Sequence, residues 1–216
     1  MSDAAVLMDR MYRRQRHIYD ATRKFYLLGR DATIAALGAR ANDGVLEIGC
    51  GTGRNLVKMA RRFPEAQLFG LDVSEEMLTS ARAAIARAGL KARIRLAQGD
   101  AASFDAARRF GRPHFERTLI SYALSMIPPW REALERAVDV LAPGGALHIV
   151  DFGDCAGLPA PFRAALGRWL ALFDVTPRLD MGAELAALSA SRGLRCETRA
   201  LMRGYAIRAV VRKPAA

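Results

Sequence analysis

The sequence predicts an α/β fold. It is a seven-stranded, mostly parallel sheet with helices on both faces, an antiparallel C-terminal hairpin and an N-terminal helical extension. Three observations predict it. Short apolar stretches alternate with helix-period stretches from residue 44 to residue 151, which is the pattern of a parallel sheet covered on both faces. The first of these stretches runs into a turn with glycines at alternate positions, Gly49, Gly51 and Gly53, which opens a helix. The chain then closes on two successive β-rich segments with Gly204 near their junction.

The elements follow in order. Residues 4–29 read as a helix: Val6, Leu7, Met11, Ile18, Phe25 and Leu28 recur near helical spacing, and Gly29 can end it. Arg13, Arg14, Arg16, Arg23 and Lys24 make this stretch basic and amphipathic. A second helix is expected over about 31–40. Gly44–Ile48 is a short apolar strand, and Arg54–Arg62 is the helix after the glycine turn. Ala66–Leu71 is the next strand, and Ser74 caps a helix to about Ala88 with Met77 and Leu78 on its buried side. Further strands are expected at Ala92–Ala97, Arg117–Ser121 and Gly145–Asp151, with a helix at about 130–141 between the last two. Helices at about 160–173 and 182–191 precede the closing strands Leu194–Leu201 and Tyr205–Arg212. Residues 1–42 are therefore read as an extension and 43–216 as the main domain.

Composition narrows the partners. The 216 residues are 51% hydrophobic and 25% charged, which excludes a disordered, collagen-like or coiled-coil chain. Thirty-three basic against 22 acidic residues leave a net charge of +11. Residues 1–30 contribute +4 and residues 192–216 contribute +6 of it, so the ends carry nearly all the excess. Such a surface favours polyanions or an anionic membrane. Cys50, Cys155 and Cys196 lack paired spacing, which argues for a reducing compartment and against a disulfide framework or a structural zinc site. No apolar run approaches the roughly 18 residues of a membrane span, and the first 30 residues are too charged for a secretory signal. The expected location is the cytoplasm.

The chemistry starts at Val45-Leu46-Glu47-Ile48-Gly49-Cys50-Gly51-Thr52-Gly53. Glycines let the backbone turn tightly and approach a ligand closely. A pyrophosphate favours the N-terminus of such a helix, but Glu47 beside the turn would repel it. A ligand that is cationic and carries an ammonium group suits this carboxylate, and S-adenosylmethionine (SAM) is such a ligand. Asp72, at the end of the second strand, can accept both hydroxyls of a ribose. Asp100, in Gln98-Gly99-Asp100-Ala101, can accept from an adenine amino group while a neighbouring N–H donates to the ring. Leu141-Ala142-Pro143-Gly144-Gly145 reads as the turn into the fifth strand.

These pieces, in this order over about residues 43–152, resemble the class I SAM-dependent methyltransferases. The resemblance implies a Rossmann-like methyltransferase fold, SAM as methyl donor, S-adenosylhomocysteine as product and no metal. It implies that Glu47, Gly49 and Gly51 form the methionine end, that Asn55 also binds the cofactor and that Asp72 holds the ribose. Val73 and Met77 would pack on the adenine, Asp100 and Ala101 would read it, and Ser121 and Tyr122 would lie beside the reacting methyl.

The acceptor is read from two places. Base-directed N-methyltransferases carry an Asn/Asp-Pro-Pro-aromatic motif at the end of the fourth strand. Here that place reads Ser121-Tyr122-Ala123-Leu124, and Pro128-Pro129-Trp130 reads as a helix start. No nucleic-acid partner is expected. The N-terminal string Arg16-His17-Ile18-Tyr19-Asp20, with Thr22-Arg23-Lys24-Phe25-Tyr26 and Leu27-Leu28-Gly29-Arg30-Asp31, resembles the bacterial diacylglycerylhomoserine N-methyltransferases of betaine-lipid synthesis. That resemblance implies trimethylation of a homoserine-headed lipid by a protein peripherally associated with the inner face of an anionic membrane. Tyr19 and Tyr122 are the candidates for orienting the amine, Tyr19 also covering SAM, and Arg30 is the candidate partner of a carboxylate. The apolar stripe Leu158, Phe162, Leu166, Trp169, Leu170 and Phe173 fits either core packing or a membrane contact. A phosphatidylethanolamine N-methyltransferase, a small-molecule or quinone methyltransferase, and a SAM-fold binding protein without catalysis are the competing readings.

Overall fold

The computed structural model describes residues 27–215. The helix expected over 4–29 therefore lies outside the described residues, apart from its last three positions, and so does Tyr19. The order of elements is α1 (Arg30–Ala36), β1 (Gly44–Ile48), α2 (Arg54–Arg62), β2 (Gln67–Asp72), α3 (Glu75–Arg87), β3 (Ile94–Gln98) and α4 (Ala106–Phe110). It continues with β4 (Phe115–Ser121), a 3-10 turn at Leu124–Met126, α5 (Trp130–Asp139), β5 (Leu141–Phe152), α6 (Ala160–Ala171), α7 (Met181–Ser191), β6 (Arg195–Leu201) and β7 (Ala206–Arg212).

The seven strands form one sheet in the order β3-β2-β1-β4-β5-β7-β6. The first five are parallel, and β7 runs antiparallel to both β5 and β6. β1 lies between β2 and β4, where the strand order reverses, so the carboxyl ends of these strands open a crevice.

The alternation of side chains along a strand divides the core into two layers. Leu46 and Ile48 of β1 join Phe69, Leu71, Ile120 and Leu147 in a cluster completed by α4, α5 and α7. Val45 faces the other way, into a cluster with Ile34 and Leu37 of the α1 region, Leu56 and Met59 of α2, and Leu78 and Ile85 of α3. Each such aliphatic side chain contributes about 1.5–3 kcal/mol by leaving water. Glu47 is two residues beyond Val45 and shares its face, which aims a carboxylate toward α2. A third cluster ties Tyr122, Val150, Phe152 and Tyr205 to Leu170 of α6.

Local signals explain most boundaries. The Ser74 Oγ accepts from the Met77 N–H at 3.3 Å and starts α3. Arg93 donates to the carbonyls of Ala60, Phe63 and Ala66, tying the end of α2 to the segment that leads into β2. The turn expected at Pro143-Gly144-Gly145 is instead an irregularity inside β5. The β4–β5 register shifts between Phe115 and Arg117, and β5 begins at Leu141. A Cβ on Gly145 would stand 2.8 Å from the Ala142 oxygen and 3.1 Å from the Phe115 oxygen, so the bulge requires glycine there. The short helix α4 was not expected. The Asp105 side chain starts it by accepting from the Arg108 N–H at 3.1 Å.

Candidate functional site

The crevice at the carboxyl ends of β1, β2, β3 and β4 holds two connected spaces. One is lined by Gly49, Gly51, Asp72, Val73, Asp100 and Ala101 on one side and by Tyr122, Ala123, Met126 and Ile127 on the other. The second is lined by Leu27, Arg30, Glu47, Thr52, Asn55 and Ser121, and the two share Gly49. Eleven of the thirteen positions singled out in the sequence are thereby accounted for at one place, and the other two are Met77 and Tyr19. Met77 lies behind the rim, packed with Met126 and Phe173, and Tyr19 is not among the described residues.

The glycine turn is held by its neighbours. Gly49, Gly51 and Gly53 all have positive φ, 72°, 52° and 74°. A Cβ on Gly49 would come within 2.6 Å of the Ala123 Cβ, so this residue lets β1 and the β4 end approach each other. The Gly51 N–H donates to Asp72 Oδ2 at 2.7 Å, and the Ser74 N–H donates to Asp72 Oδ1 at 3.0 Å. Asp72 thus fixes the turn while remaining on the crevice wall. Asp100 accepts from the Ala102 N–H at 2.8 Å, which orients its carboxylate at the end of β3.

The second space has a defined polarity. Asn55 Nδ2 donates to Glu47 Oε1 at 2.7 Å, and Glu47 is almost fully buried. Cys50, buried nearby, reports the field: burial first, then the charges of Asp72 and Glu47, push its thiol well above the ordinary range. Two buried carboxylates make this floor negative. Arg30, itself buried, lines the same space and pairs with Asp31, which Lys58 also contacts at 2.5 Å. The Ser121 hydroxyl is buried against the same space and has no hydrogen-bond partner among the described residues.

Tyr122 closes the inner end. Its φ is 53°, its ring packs edge-on against Phe152 at 4.8 Å between centroids, and its hydroxyl donates to the Leu28 carbonyl at 2.5 Å. Burial, and then the charge of Asp151, push the phenol well above its ordinary range, so it holds its proton. Tyr122 is almost fully buried, with its hydroxyl committed to the Leu28 carbonyl, and it lines the crevice beside Ala123. Asp151 itself is buried behind the site, accepting from the N–H groups of Ser125 and Phe152, and it anchors the 3-10 turn to β5. His148 lies in the sheet, lowered to about 4 by burial and then by Arg212, Arg117 and Arg208.

Several wall residues were not found by sequence reasoning: Ala123, Met126, Ile127 and the Pro128-Pro129 pair on the first space, with Thr52 and Arg54 on the second. The proline pair was visible, but only as the start of α5, where Pro129 does stand immediately before Trp130. Residues Leu158, Leu166, Trp169 and Phe173 of the apolar stripe pack partly on the third cluster, while Phe162 is exposed.

The donor set fits SAM. A buried carboxylate, an unpartnered hydroxyl and an arginine surround the space that would take an amino-acid group, and Asp72 and Asp100 stand on the other space, where the ribose and adenine would lie. Among the described residues there is no group of His, Cys, Asp and Glu that could hold a metal ion.

Comparisons with known proteins agree with this geometry. The family model described as a methyltransferase domain matches residues 45–145. The ubiquinone/menaquinone biosynthesis C-methyltransferase of Dinoroseobacter shibae is 32% identical over 132 residues, covering 61% of this chain and 50% of that protein. The chain spans about half the length of the curated relatives it matches. Among solved structures, an O-methyltransferase family protein of Burkholderia thailandensis superposes with a TM-score of 0.68 at 22% identity, covering 91% of this chain and 59% of that one. Phospholethanolamine N-methyltransferase 2 of Haemonchus contortus, solved with phosphomonomethylethanolamine and S-adenosylhomocysteine, gives a TM-score of 0.67 at 15% identity, with coverages of 87% and 52%. The likeness to these structures is one of fold.

Proposed function

We propose that this chain, whose residues 45–145 match the model of a methyltransferase domain, uses SAM to trimethylate the amine of diacylglycerylhomoserine, forming the betaine lipid. The observation that carries the SAM part is the buried Glu47–Asn55 pair beside a glycine turn held by Asp72. The lipid part rests on the N-terminal string resembling diacylglycerylhomoserine N-methyltransferases and on the apolar wall of Met126, Ile127 and Pro128.

When bound, SAM supplies an electrophilic methyl on a sulfonium, and the acceptor nitrogen takes it as the carbon–sulfur bond breaks. The chain's own residues position the two reactants. Glu47 draws the amino group of the methionine end, Arg30 its carboxylate, and Asn55 keeps the Glu47 carboxylate aimed. Asp72 accepts from the ribose hydroxyls, Asp100 and the Ala101 N–H recognise the adenine, and Val73 covers its edge. Tyr122 presents its ring to the amine, where a face of negative charge favours the growing ammonium. Each attack needs a neutral amine. Tyr122 keeps its own proton, so the ammonium proton passes to water or to a nearby side chain other than Tyr122. Residues 1–42, with Tyr19, serve in this reading as the covering extension to domain 43–216. The protein works at the inner face of an anionic membrane. No helix among the described residues is long and apolar enough to cross one.

Methyl transfer from radiolabelled SAM to liposomes tests this. Label in diacylglycerylhomoserine, advancing from mono- to trimethyl forms, supports the proposal. Label in phosphatidylethanolamine alone moves the acceptor to that headgroup. Quinone methylation is the second reading, favoured by the relative in Dinoroseobacter shibae, and label in a demethylated quinol but in neither lipid would replace the lipid reading with it.

A further inference from the structure

We propose that α6 and the tip of the β6–β7 hairpin form an interfacial docking face that sets the crevice mouth against an anionic phospholipid bilayer. α6 has twelve residues and buries only Leu170. Phe162, Ala165, Trp169 and Leu172 recur at helical spacing along one flank, so they face the same way. Phe162 is 46% and Leu172 70% exposed, and Met202 at the hairpin tip is 53% exposed, where a folded chain otherwise hides large apolar groups.

The flank is continuous with the site. At one end, Phe162 lies 6.5 Å from the Tyr205 ring, and the Gly157 N–H donates to the Arg203 carbonyl at 3.0 Å, joining the segment before α6 to the hairpin tip. At the other end, Trp169 stacks edge-on with Phe173 at 5.1 Å, and Phe173 packs on Met77 and Met126 at the crevice rim. A surface held by this flank therefore lies next to the opening through which an acceptor enters.

Charge selects the occupant. Between Cys155 and Phe173 the only charged residues are Arg163 and Arg168, both exposed, and exposed Arg203 adds a third cation at the tip. Asp154 and Asp174 lie just outside the two ends. Exposed apolar groups edged by arginines match the headgroup and acyl boundary of an anionic bilayer. Residues 1–26 carry six basic and three acidic residues and would meet this basic face with like charge. The inference deepens the lipid reading of the site and rests on it for its purpose, but the face can be tested without any acceptor.

The test is co-sedimentation of the full chain with phosphatidylcholine vesicles, with and without phosphatidylglycerol, none of them holding an amine acceptor, since choline is already quaternary. The expected result is binding that requires phosphatidylglycerol and weakens with salt. Arg163→Glu with Arg168→Glu lowers that binding by more than about tenfold, and Phe162→Ser with Leu172→Ser also lowers it. SAM affinity is unchanged in both pairs, which shows that they fold. Binding equal to that of the unchanged chain in both pairs, or lost instead in Arg61→Glu with Arg62→Glu on the groove between α2 and α3, overturns the proposal. So does a dimer of the chain that the Phe162 and Leu172 changes dissolve, because the face then belongs to a second copy. If docking follows α6 but no lipid is methylated, the acceptor reading falls and the docking face stands. If lipids are methylated and docking ignores α6, the reverse holds.

Discussion

The side-chain amide of Asn55 donates to Glu47 Oε1 at 2.7 Å, joining the first turn of α2 to β1 across the glycine turn. This bond orients a buried carboxylate beside the space that, in the proposed reading, takes the methionine end. Glu47→Gln removes the charge while keeping the size. SAM affinity, measured by calorimetry, is expected to fall at least about tenfold, the scale of a lost charge-assisted hydrogen bond of 1.5–3 kcal/mol. Asn55→Ala is expected to give a smaller loss in the same direction.

Gly49→Ala places a methyl within 2.6 Å of the Ala123 Cβ at a residue with φ of 72°. The strained backbone costs about 1–3 kcal/mol, and the displaced turn no longer fits the ligand. The expected outcome is a lowered Tm and no measurable SAM binding. Ala123→Gly in the same chain relieves the clash and is expected to restore part of the Tm.

Tyr122→Phe removes the hydrogen bond to the Leu28 carbonyl and keeps the ring. A loss of about 0.5–1.5 kcal/mol is expected in denaturant unfolding, with kcat within a few-fold of the unchanged chain. Tyr122→Ala removes the ring as well and is expected to lower kcat far more than the Phe variant. Equal kcat in the two variants would mean that the ring does not meet the acceptor.

His148 gives a pH signature. Its pKa is lowered to about 4, and an unfolded histidine titrates near 6.5. The unfolded chain therefore takes up the proton first as pH falls. Stability drops from about pH 6.5 toward pH 4, by up to about 3 kcal/mol if the full shift is realised, and this contribution levels off below that. His148→Gln is expected to flatten the Tm-against-pH curve over that window.

Much of the site was legible because its residues act through local backbone chemistry. Gly49, Gly51 and Gly53 announce a tight turn, Glu47 lies near the end of β1 and Asp72 ends β2 beside it, and Ser74 is an ordinary cap. β1 and α2 fall on the expected residues for the same reason. The missed parts arise from contacts distant in sequence. Met126 and Ile127 reach the crevice because Asp151 of β5 and Arg178 hold the 3-10 turn in place, Arg178 by donating to the Leu124 and Ile127 carbonyls. No periodicity marks such a turn. The bulge at Gly145 looked like a connecting turn because proline and glycine have the same appearance in either setting, and only the pairing of β5 with β4 distinguishes them. The five residues of α4 are too few for a helical period to show.

The claim that this crevice is a SAM site is tested most directly by titrating SAM into the full chain and into the Glu47→Gln and Gly49→Ala variants. The account predicts saturable one-site binding by the unchanged chain, competed by S-adenosylhomocysteine, weakened about tenfold or more in the first variant and absent in the second. No binding by the folded, unchanged chain, or equal binding by all three, would contradict it.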